Sequence, residues 1–163
     1  MEATTEGPKP EPAEEVEPIE VKAKEKEPFV PKKLLPIDRG LTKWILWGFL
    51  TLGIYNIVVL TKMSCEINTI ATRFDGRHTS NYLWIALLLN WITVGIAALV
   101  WYHCFSNRIG NELNRRQIPY SFGASDFWLW RVLGTLLVFL PFVYIYKLLH
   151  AMNLLNADYN KRG

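Results

Sequence analysis

TLGIYNIVVLTKM occupies Thr51–Met63, and TVGIAALVWYHCF occupies Thr93–Phe105. The same Thr-x-Gly-Ile element therefore recurs, each time inside a long apolar run. Three such runs exist: residues 41–61, 82–105 and 127–149. Each is close to the ~20 apolar residues that a helix needs to cross ~30 Å of hydrocarbon. None carries the polar face of a soluble surface helix. The pattern predicts an all-α fold, a small bundle of three transmembrane helices.

The repeat extends beyond the motif. Trp44–Asn68 aligns without a gap on Ala86–Gly110, with identities at Leu46/Leu88, Thr51/Thr93, Gly53/Gly95, Ile54/Ile96, Ser64/Ser106 and Ile67/Ile109. The period is about 42 residues. A weaker third copy covers Leu129–Asn153, where Lys147 and Asn153 match Lys62 and Asn68. After each run comes an amphipathic stretch, marked by Met63, Ile67 and Ile70, by Ile109 and Leu113, and by Met152 and Leu155. These stretches are expected to pack on one another at the membrane surface. Arg108, Glu112 and Arg116 stand four apart and predict an ion-pair ladder.

Charge divides the chain. Residues 1–31 hold nine Glu, four Lys and six Pro, a net −5, while the remainder is a net +8 and holds all seven Trp. Residues 1–36 are expected to form a disordered acidic tail, because they bury too little apolar surface to offset ordering. The tail has no secretory-signal pattern. The transmembrane domain is expected over residues 37–160.

Small residues inside membrane helices let backbones approach. Gly53 and Gly95, with Thr51 and Thr93 beside them, are therefore expected where helices cross. Gly48→Leu is expected to be tolerated better than Gly53→Leu. Asn56 and Asn90 are expected to bridge helices by hydrogen bonds. Pro141 is expected to kink the third helix. Trp44, Trp84, Trp101, Trp128, Trp130, Arg131 and Lys147 stand near run ends, where rings and long cations anchor to headgroups. The basic residues before the first run favour a cytoplasmic N-terminus, and three crossings would put the C-terminus on the opposite side.

No metal, cofactor or catalytic motif is present, so no catalytic, cofactor-binding or metal residue is expected. Cys65 and Cys104 lack ligand spacing and are expected to be inert reduced thiols. Arg115 and Arg116 are too small a patch for nucleic acid. The expected role is that of a non-enzymatic structural or accessory membrane protein. Its partners would be lipids and a protein partner or a second copy of itself. A small oligomeric transporter or channel subunit is the alternative.

Trp44, Gly53, Ile54, Tyr55 and Asn56, followed by Lys62, Glu66, Ile67 and Asn68, resemble the pattern of the DUF4234 family over about residues 37–160. That resemblance implies a small, mostly bacterial integral membrane protein, and hence the bacterial plasma membrane. It transfers no catalytic residue.

Overall fold

The computed structural model describes residues 31, 34–137 and 139–163. The expected disordered tail lies almost wholly outside the described residues. Every regular element among those residues is helical.

Each apolar run folds back on itself. Helix α1 (Leu41–Leu50) turns at residues 51–53 into α2 (Ile54–Asp75). Helix α3 (residues 82–92) is wound as a π-helix over Ile85–Leu89 and turns at residues 93–95 into α4 (Ile96–Arg115). Helix α5 (residues 124–136) passes through π-helical and 3₁₀ winding before α6 (Leu140–Arg162) begins. The result is three helical hairpins, each with a short first limb and a long second limb. Among the described residues no helix is long and apolar enough to cross a membrane. The expectation of three spanning helices therefore gives way to three bent units.

The Thr-x-Gly-Ile element is the turn. Leu52 and Val94 have φ of 50° and 51°, and Gly53 and Gly95 have φ of 87° and 91°. Gly53 N–H donates to the Gly48 carbonyl (2.7 Å), as Gly95 N–H does to Asn90 (2.9 Å). This is a Schellman-type closure, in which glycine supplies a left-handed backbone at little cost. The threonines staple both limbs. Thr51 Oγ1 donates to the Trp47 carbonyl (2.5 Å) and accepts from Tyr55 N–H (3.0 Å). Thr93 repeats this with Leu89 (2.7 Å) and Ala97 (2.9 Å). The third turn is built differently. Leu137 is extended, and Pro141 is the second residue of α6. Proline at a helix start lacks only an N–H that has no partner there. Pro141 therefore starts a helix and does not kink one.

The expected crossing contact at Gly53 and Gly95 is not found. A side chain added at Gly53 would meet open space, and one at Gly95 would only graze Asn90. Close approach occurs instead at Gly48, where an added Cβ would lie 2.6 Å from Asn56 Nδ2. The expected order of tolerance at these two glycines is thus reversed for packing. Gly48→Ala should lower stability by about 1–3 kcal/mol through overpacking. Gly53→Ala should cost about 1–2 kcal/mol through backbone strain alone. Adding Asn56→Ala should recover the first loss and leave the second. Thermal melts of the single and double variants check this; no recovery at Gly48 would refute the contact.

The long limbs α2, α4 and α6 run parallel. Near the start of α6, Tyr144 bonds Ser106 on α4 (2.8 Å), while near its end Asp158 bonds Arg116, the residue that caps α4 (2.7 Å). Between α2 and α6, Ile57 and Phe142 line one cavity, and Glu66 further along α2 accepts from Asn156 (3.0 Å). Met63, Ile67 and Ile70, then Phe105, Ile109 and Leu113, then Leu148, Met152 and Leu155 are all fully buried between these helices. The amphipathic stretches thus form the core, as their spacing predicts. Because the limbs are parallel, the three turns gather at one end and the charged helix ends at the other.

Candidate membrane-contact surface

The turn end is apolar and uncovered. Leu52 is 94% exposed, Val94 91%, Leu136 85% and Phe139 80%. Around them Phe49, Leu50, Ile54, Trp91, Ile92, Ile96 and Leu137 are also exposed. No Asp, Glu, Lys or Arg stands between Trp44 and Thr61 or between Tyr82 and Asn107. Apolar patches on this scale mark contact with another apolar phase or partner.

Backbone strain adds to the oddity. Left-handed positions favour Gly, Asn or Asp, and a β-branched residue there is an outlier. Yet Leu52 and Val94 hold φ near 50° while their side chains point into open surroundings. In water such a position would suit Asn or Asp on both counts.

The opposite end is bound by ions and amides. Arg39 grips Glu66 with both guanidinium nitrogens (2.7 and 2.5 Å), and Asn156 adds a bond to the same carboxylate (3.0 Å). Arg108 reaches from α4 to Asp75 (2.8 Å), Asn68 (2.5 Å), Thr72 (2.9 Å), Thr79 (2.7 Å) and the Arg77 carbonyl (2.7 Å). It thereby pins α2 and the segment after it. Arg116 joins Glu112 (2.6 Å) to Asp158 (2.7 Å). Burial pushes the Asp75 carboxyl up, but the bonds from Arg108 and Arg77 N–H outweigh it and hold the pKa below the ordinary value. Asp158 behaves likewise, with Arg116 and Arg162 outweighing burial. Of the expected ladder, Glu112 pairs with Arg116, while Arg108 turns away to Asp75.

The segment before α1 meets the last turns of α6 at this polar end. Leu35 N–H donates to Asn160 Oδ1 and its carbonyl accepts from Asn160 Nδ2, both at 2.8 Å.

The expected anchors divide into two groups. Trp84 and Trp128 are exposed, and Trp128 Nε1 donates to His103 Nδ1 (3.0 Å). Trp44 and Trp101 are buried, Trp101 donating to the Ser80 carbonyl (2.8 Å), so both are core residues and not anchors. Trp130 packs against the core. Lys147 is tied to Asp126. Arg131 is half-buried and lines a cavity between the hairpins. Asn56 and Asn90 make no interhelical bond; each has a buried Oδ1 without a protein partner. Cys65 and Cys104 are free and exposed, not enclosed in apolar surroundings. Among the described residues no group of His, Cys, Asp and Glu is placed to hold a metal ion.

The arrangement defines an all-α protein of three parallel hairpins, apolar at one end and ionic at the other. Residues 39–111 match the family described as Domain of unknown function (DUF4234). The match covers the first hairpin and most of the second. No curated protein and no solved structure matches the chain.

Proposed function

We propose that this protein is a non-enzymatic membrane protein that inserts three hairpin tips into one leaflet and presents its ionic end to partners outside the hydrocarbon. The observation that carries this reading is the pair of left-handed Leu52 and Val94 at fully exposed turns, grouped with Leu136 and Phe139. Lengths agree. The ten residues of α1 rise about 15 Å, half of a ~30 Å hydrocarbon core. Burying the four tip side chains would contribute roughly 6–12 kcal/mol. Lipid is thus the first partner, and a protein partner or a second copy would meet the ionic end or the hairpin flanks.

Cysteine probes test the arrangement in a Cys65→Ser/Cys104→Ser background. Fluorophores at positions 52, 94 and 139 should be quenched most by bromines deep in the acyl chains. Those at 38 and 161 should escape quenching and should react with an impermeant reagent from the same side of sealed vesicles. Labelling of 38 and 161 from opposite sides, or unquenched tips, would overturn the one-leaflet reading. The protein should also stay with the pellet after alkaline carbonate washing.

A further inference from the structure

A cavity of about 370 Å³ lies among the three hairpins. All six helices line it, through Trp44, Asn56, Tyr82, Tyr102, Arg131 and Pro141 among others. Arg131 is its only charged residue among the described residues. The guanidinium lies 5.9 Å from the Tyr102 ring centroid and makes no ion pair among the described residues. The acid nearest to it on its own helix, Asp126, is engaged by Lys147 and by Gly123 N–H (3.1 Å). Asn56 makes no side-chain hydrogen bond among the described residues, and its Oδ1 is buried.

A half-buried cation with no acid beside it favours an incoming counter-charge. The cavity thus combines an uncompensated positive charge with an idle amide and two phenol side chains. Arginine's planar fork suits phosphate, which accepts two parallel bonds from it. The volume sits at the small end of ligand pockets, which admits a headgroup and leaves acyl chains outside.

We infer that this cavity binds a phosphate group, with Arg131 as its counter-charge and Asn56 as a hydrogen-bond donor. That a phospholipid headgroup supplies the phosphate rests on the membrane reading; the anion site itself does not.

The test uses full-length protein in mild detergent, wild type against Arg131→Met. Wild type isolated from membranes should retain about one anionic phospholipid per chain by native mass spectrometry, and Arg131→Met should lose at least tenfold of it. Delipidated wild type should melt several degrees higher with short-chain phosphatidylglycerol, and higher by a smaller margin with inorganic phosphate. Arg131→Met should respond to neither. A shift with inorganic phosphate equal to that with the lipid would overturn the lipid source. Equal lipid retention by both proteins, or no melting shift in wild type, would overturn the site. Should Arg131→Met fail to fold, Asn56→Ala carries the test, with weakened retention expected and unchanged retention overturning the proposal. Because these readouts are taken in detergent, they can succeed or fail independently of the leaflet-depth measurements.

Discussion

Replacing Arg108 with alanine is expected to remove about 3–5 kcal/mol of stability, the largest loss from any single side chain at the ionic end. Five groups would each lose a bond at once: Asp75, Asn68, Thr72, Thr79 and the Arg77 carbonyl. Arg108→Lys should rescue little, since an ammonium cannot reproduce the forked geometry. The same variant changes the acid response. Asp75 has its pKa lowered in the folded state, so it contributes stability above the ordinary carboxylate value of about 4. That stability is lost as pH falls through the folded value. Wild type should therefore lose stability progressively below about pH 4, and Arg108→Ala should show a shallower loss. Denaturant titrations at neutral and acid pH would check both. An undiminished acid slope in the variant would place the linkage elsewhere, with Asp158 the first candidate.

The second large effect concerns the turns. Leu52→Asp, Val94→Asp and Phe139→Asp together should abolish partition into vesicles. Each charge costs about 2.5–3.5 kcal/mol deep in a bilayer, so three amount to roughly five to eight orders of magnitude in partition. The fold should survive. All three side chains are exposed, and Asp suits the left-handed backbone at 52 and 94 better than Leu or Val does. Far-ultraviolet circular dichroism and melting in detergent should match wild type, while flotation with liposomes should fail. Flotation of the triple variant would mean that the tips do not enter lipid.

Much of this was legible in residue pattern. Helical class followed from the apolar runs, and the core followed from the spacing of Met63, Ile67 and Ile70 and their counterparts. The repeat marked equivalent places. What the pattern did not separate was a glycine that lets two helices touch from a glycine that turns one chain back. Both sit in apolar surroundings beside threonine and isoleucine. The difference lies in a positive φ and in hydroxyls bonded to both limbs, neither of which periodicity carries. A glycine interrupting an apolar helix was the available hint, since it is also the common helix terminator.

The ionic end was partly hidden for another reason. Glu112 and Arg116 are four residues apart, so helix geometry alone pairs them. Arg39 and Glu66, within the first hairpin, and Arg108 and Asp75, between the first two, are joined only by tertiary placement. Tryptophans near run ends suggested headgroup anchors, but Trp44 and Trp101 sit where the hairpins fold against one another, and interior packing claimed them.

The three-residue turns carry a consequence for biogenesis. Entry and exit of every hairpin lie at the same end, and no hydrophilic loop stands at the tips. On the one-leaflet arrangement, no hydrophilic segment has to be translocated to the far side. Assembly would then require only that a finished bundle, or each hairpin in turn, settle into the bilayer from the face where the chain is made, without a channel to conduct polar backbone through it.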